Sequence, residues 1–142
     1  MKLIISFFLA FFFIISLHSQ SSVLGTWKAI DDKDGQPTSH IEIFEKDGKI
    51  HGKITKLFDQ PDDIVCELCK GEKHNQPVLG MEILSGLQKN GKQWTGGRVL
   101  DPEDGKTYKC KITLKDESTL NLRGYIGIPA LGRTQTWHRV AS

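Results

Sequence analysis

What the sequence lacks narrows the field. No stretch carries the 3.6-residue apolar period of a long amphipathic helix, so strands are left to build the fold. Lysine and arginine number 19 against 17 aspartate and glutamate, with both signs interspersed along the chain. That is not the basic stripe of a nucleic-acid binder. His40, His51, His74 and His138 are scattered, and no pair of them has metal-ligand spacing. No serine or cysteine sits in a recognisable nucleophile setting, so no catalytic residue, metal or cofactor is assigned. Asp101, Glu103 and Asp104 read as a solvated acidic turn, because calcium needs more oxygen ligands at a fixed spacing.

Long apolar runs are also scarce. The chain has one, Leu3 to Leu17, preceded by Lys2 and followed by the small residue Ser19. It is shorter than the roughly 20 residues a spanning helix needs. The order of a positive start, an apolar run and a small residue predicts a secretory signal peptide over residues 1–20. No later run is apolar enough to cross a membrane, and no cysteine lies near the predicted cleavage point, which disfavours a lipid anchor. Residues 21–142 then form one domain, periplasmic or secreted. Five of the seven phenylalanines leave with the leader, and only Phe44 and Phe58 remain.

What is present in that domain is alternation. Ile41 and Ile43 share a face against His40, Glu42 and Phe44. Ile50, Gly52 and Ile54 oppose Lys49, His51 and Lys53. Tyr108, Cys110, Ile112 and Leu114 oppose Lys109, Lys111, Thr113 and Lys115. A period of two describes half-buried strands. Asp47-Gly48 and Asn90-Gly91 are hairpin turns, and Asp101-Pro102-Glu103-Asp104-Gly105 has the chemistry of another. The pattern gives about eight strands, with neighbours antiparallel. Such a sheet either closes or leaves exposed edges. An antiparallel up-and-down β-barrel is the expected solution, and a two-sheet sandwich is the alternative. Phe58 to Pro77 breaks the alternation and reads as a long loop with room for a short helix near Asp62 to Leu68.

Four motifs then show a resemblance. Gly25-Thr26-Trp27, Gly96-Gly97-Arg98 with the turn to Tyr108, Leu122-Arg123-Gly124-Tyr125, and Gly132-Arg133-Thr134-Gln135-Thr136-Trp137 with Arg139 resemble a family of exported bacterial proteins. The family is catalogued as domain of unknown function 2147, and the match covers essentially the whole mature chain. It implies an envelope or secreted protein with a lipocalin-like or streptavidin-like barrel. It brings no established activity. Gly-x-Trp also resembles the lipocalin signature, in which an arginine from the last strand packs across the tryptophan at the closed end. Trp27 and Arg139 would fill those roles.

The remaining candidates concern binding. Cys66 and Cys69 read first as an intraloop disulfide. Zinc held with His74 and Asp62 or Asp63, or a redox-active pair, are the alternatives. Cys110 reads as a small buried hydrophobe. Trp94, Trp137 and Tyr125 are candidates to line a pocket. Arg98, Arg123 and Arg133 each adjoin a glycine and could meet a ligand carboxylate, with Arg98 or Arg123 placed to fix a polar head. Phe58 and the Cys66–Cys69 loop are placed as its cover. The leading expectation is a barrel that binds a small, partly apolar molecule. A packed barrel acting through a protein partner in the envelope or in stress, and a thiol redox role, are the alternatives.

Overall fold

The computed structural model describes residues 22–141, so the predicted leader lies outside them. Eight strands follow one another: β1 (Gly25–Ile30), β2 (Pro37–Lys46), β3 (Lys49–Leu57), β4 (Glu82–Asn90), β5 (Gln93–Asp101), β6 (Lys106–Asp116), β7 (Thr119–Tyr125) and β8 (Arg133–Arg139). Each pairs antiparallel with its neighbour, and β8 returns to pair with β1, closing the barrel. Closure satisfies every ladder and removes the edge. It also settles the choice against a sandwich.

Three short turns join strands at one end. Asp47 and Gly48 adopt φ of 53° and 75°, and Gly91 adopts 64°. Paired positive φ suits a two-residue hairpin because its twist matches that of the strands. The links at the other end are longer and include the segment between β3 and β4. That segment holds no helix near Asp62 to Leu68. It folds back on itself through a bridge between Val65 and Pro77 and hydrogen bonds from Cys66 to Gln76 and from Val78 to Ile64. A single 3-10 turn, Gly71–Lys73, sits at its far end.

Inward residues meet in cross-strand rows. Trp94, Ile112, Leu122 and Gln135 make one row, and Leu114, Leu120, Trp137 and Ala29 another. Trp27, Leu84, Leu87, Cys110, Ile112 and Leu120 have no exposed surface. Each large apolar side chain buried this way contributes about 1.5–3 kcal/mol.

The end bearing the short turns is sealed. Trp27 Nε1 donates to the Val23 carbonyl at 2.8 Å, and Val23 is itself buried. Arg139, paired with Trp27 across β1 and β8, lays its guanidinium 4.3 Å from the indole centroid. Its three nitrogens donate to the carbonyls of Glu117, Leu24 and Ser22 at 2.6, 2.8 and 2.6 Å. The planar fork stacks on the ring and ties the chain entry to the β6–β7 turn in one contact set.

Candidate ligand-binding cavity

The opposite end is open and contains a cavity of about 410 Å³. That lies within the range of small-molecule sites, roughly 300–1,000 Å³. Its walls are apolar: Ala29, Ile41, Ile54, Leu57, Ile83, Val99 and Leu122, with Trp137 below. Gly124 leaves part of this space vacant. A Cβ placed there would meet only ordinary contacts, the nearest being Val99 at 3.6 Å.

The rim is charged. Asp31 and Asp32 come from the β1–β2 link, Asp59 from the β3–β4 segment, and Asp101, Glu103 and Asp104 from the β5–β6 turn. Lys33 and Arg133 are the two bases among the lining residues. Arg133 donates from one nitrogen to both oxygens of Asp32 at 2.7 and 2.6 Å. The guanidinium holds the Asp32 carboxyl below its usual range. Two of the other acids, Asp101 and Glu103, are pushed upward. Burial raises Asp101, against a hydrogen bond from the Glu103 N–H and helped by the charge of Asp104. Burial also raises Glu103, with the charges of Asp101, Asp59 and Asp31 adding to it. Tyr108 donates its hydroxyl to Asp104 at 2.5 Å, and that bond, followed by burial, pushes it up to about 12. Carboxylates from three separate links crowd this rim.

Of the residues expected at a pocket, Tyr125, Trp137 and Arg133 line the cavity. Trp94 is buried lower in the barrel and is not among the lining residues. Arg98 and Phe58 face outward, and one mechanism explains both. The β5–β6 register shifts between Trp94 and Gly97, where Gly96 has φ of 76°. This bulge turns Gly97 and Val99 inward and sends Arg98 out. A second shift, between β2 and β3, sets His40 opposite Lys56 but Ile41 opposite Ile54. Leu57 therefore faces in, while Phe58 packs edge-on against His40, ring centroids 5.0 Å apart. Arg123 alternates with the buried Leu122 and faces out. It donates to the Pro129 carbonyl and to Thr134 Oγ1, both at 2.7 Å, bracing the β7–β8 link. None of the three is among the lining residues.

Cys66 and Cys69 are joined in a disulfide. Both are nearly fully buried, at 1% and 3% exposure. The bonded pair leaves no thiolate for zinc, and His74 turns Nδ1 to the Cys69 carbonyl at 3.1 Å. Among the described residues no group of three His, Cys, Asp or Glu could hold a metal. Burial also denies the pair the exposure that a redox site requires. The loop does not roof the cavity. It packs on the outer flank of the β5–β6 turn, with Cys66 Sγ 3.5 Å from the Pro102 carbonyl oxygen. Gly105 makes this possible. A Cβ there would lie 2.0 Å from the Leu68 carbonyl oxygen. Cys110 is free and fully buried between Gly97 and Gly124, and burial pushes its thiol up to about 12.

Sequence reasoning did not assemble the rim. Asp32, Arg133 and the acidic turn come together only when the β1–β2 link, the β5–β6 turn and the start of β8 meet. The signals in the chain were the density of acids in the turn at 101–104 and the arginine beside Gly132.

The fold is similar to that of a solved structure, HP1028 from Helicobacter pylori, which is described as belonging to the lipocalin family. The two share 24% identity over 84% of each chain, with a TM-score of 0.75. At that identity the likeness is one of fold. No curated protein matches the chain. Residues 25–139, which run from the first strand to the last, match the family of uncharacterized proteins conserved in bacteria, DUF2147, and the chain belongs to that family.

Proposed function

We propose that this protein binds a small, partly apolar molecule in the open end of its barrel, and that it does so after export to the periplasm or beyond. The observation that carries the reading is the cavity itself: about 410 Å³, apolar in its walls and charged only at its rim. Burying an apolar body against Ile41, Ile54, Val99 and Leu122 supplies affinity, and the rim orients a polar head. The leader-like opening of the chain and the Cys66–Cys69 disulfide both support an oxidising address.

A second reading has its own observation. Ile126, Ile128 and Leu131 on the β7–β8 link are 67%, 58% and 77% exposed. Such a group beside the mouth suits contact with a protein partner in the envelope.

Native mass spectrometry of the mature protein, isolated from an oxidising compartment, separates the two. The binding reading expects an added mass that is lost on denaturation. It also expects Gly124→Val, which puts two methyl groups into the cavity, to lose that mass while staying folded. A bare protein mass that persists after incubation with lipid and small-acid mixtures would refute it and favour the partner.

A further inference from the structure

We infer that the molecule taken by this cavity is cationic, an apolar body with an amine or quaternary ammonium head held at the mouth. The inference rests on the binding reading above and names the class of its ligand.

The charge balance of the rim carries it. Asp31, Asp32, Asp59, Asp101, Glu103 and Asp104 face Lys33 and Arg133 across one opening. The formal excess is four negative charges over a low-dielectric cavity, which concentrates the field at the entrance. The excess is built from three separate links, so it belongs to the opening rather than to one solvated turn. Among the described residues these carboxylates do not converge as metal ligands. They act on a diffuse positive head instead. Tyr108, half-buried among the lining residues, adds an aromatic ring beside these charges.

An anionic head fares badly at the same place. Arg133 is the rim's one guanidinium, and it already bonds both oxygens of Asp32. A ligand carboxylate that recruited Arg133 would release Asp32 into a ring of like charges. The neighbours of Glu103 already disfavour one more: Asp101, Asp59 and Asp31 all oppose its ionisation. A positive head relieves this repulsion instead of adding to it.

The test uses the full mature protein and three probes with one tail: decyltrimethylammonium, decanol and decanoate, each below its micellar concentration, titrated calorimetrically at pH 7. The ammonium should bind about tenfold more tightly than decanoate, with decanol between them. Raising the salt to about 0.5 M should compress that ratio by screening. The double change Glu103→Gln with Asp59→Asn should narrow it as well. Decanoate binding as tightly as the ammonium, or a ratio indifferent to salt, would overturn the inference while leaving the cavity a binding site. Failure of all three probes to bind would overturn the binding reading and this inference with it.

Discussion

Gly105→Ala tests how the disulfide loop is attached to the barrel. Two costs can be separated. The first is conformational: Gly105 has φ of 70°, and an alanine there costs about 1 kcal/mol. The second is steric. The new methyl would sit 2.0 Å from the Leu68 carbonyl oxygen, 2.3 Å from its carbon and 2.9 Å from the Cys69 nitrogen. All three are backbone atoms of a segment closed by the disulfide, so no side chain can rotate away. The loop must lift by more than about 1 Å to reach ordinary contact distance. Lifting it exposes part of Cys66, Cys69 and Leu100, which are now 1%, 3% and 7% exposed. Partial loss of that burial costs about 2–3 kcal/mol. The expected total is about 3–4 kcal/mol. Gly91→Ala is the control, because its φ is 64° and nothing lies within 4 Å of its Cβ position. It should cost only the conformational part, about 1 kcal/mol. Urea unfolding of both variants measures the difference. Equal losses, within about 0.5 kcal/mol, would refute the claim that the loop is docked on this turn.

Two further outcomes follow from the two ends of the barrel. Arg139→Ala removes three backbone hydrogen bonds and the stack on Trp27, and should cost about 2–3 kcal/mol in urea unfolding. Arg139→Lys should recover less than half of that, since an ammonium lacks the fork and the plane. Asp101→Asn should raise the melting temperature at neutral pH. Burial, with Asp104 adding and the Glu103 N–H and Arg133 opposing, lifts the Asp101 carboxyl in the folded state. The folded protein therefore binds that proton more tightly than the unfolded chain does, and the ionised form costs stability. The gain from asparagine should vanish as pH falls below the ordinary carboxylate range near about 4. A gain that persists in acid would locate its cause elsewhere.

The strands were legible because their signal is local. Ile41 and Ile43, or Cys110 and Ile112, announce an inward face within three residues, and the Asp47-Gly48 and Asn90-Gly91 turns need only their own backbone. The Trp27 and Arg139 closure was legible from a family likeness at the two ends of the chain. The wall of the cavity was not, because bulges interrupt the period of two. Carried on from Trp94 without interruption, alternation puts Arg98 inside; one extra residue at Gly96 reverses it. The same slip at the end of β3 exchanges Leu57 for Phe58. Arg123 is a different case. Leu122 beside it already pointed inward, so its outward position was readable from its own strand. The rim was the least legible part, since Asp32 and Arg133 meet across 101 residues and no local pattern says that they pair.

The seal at the base also fixes how the molecule can be attached to anything else. Arg139 bonds the carbonyls of Ser22 and Leu24, and the Val140 N–H bonds Thr26 at 2.9 Å. The chain therefore enters and leaves the barrel side by side, at the end remote from the cavity. A tether or surface linkage that meets the barrel next to Ser22 or Val140 attaches at the floor, on the side away from the mouth. Immobilising the protein by one end and then by the other should leave access to the cavity unchanged.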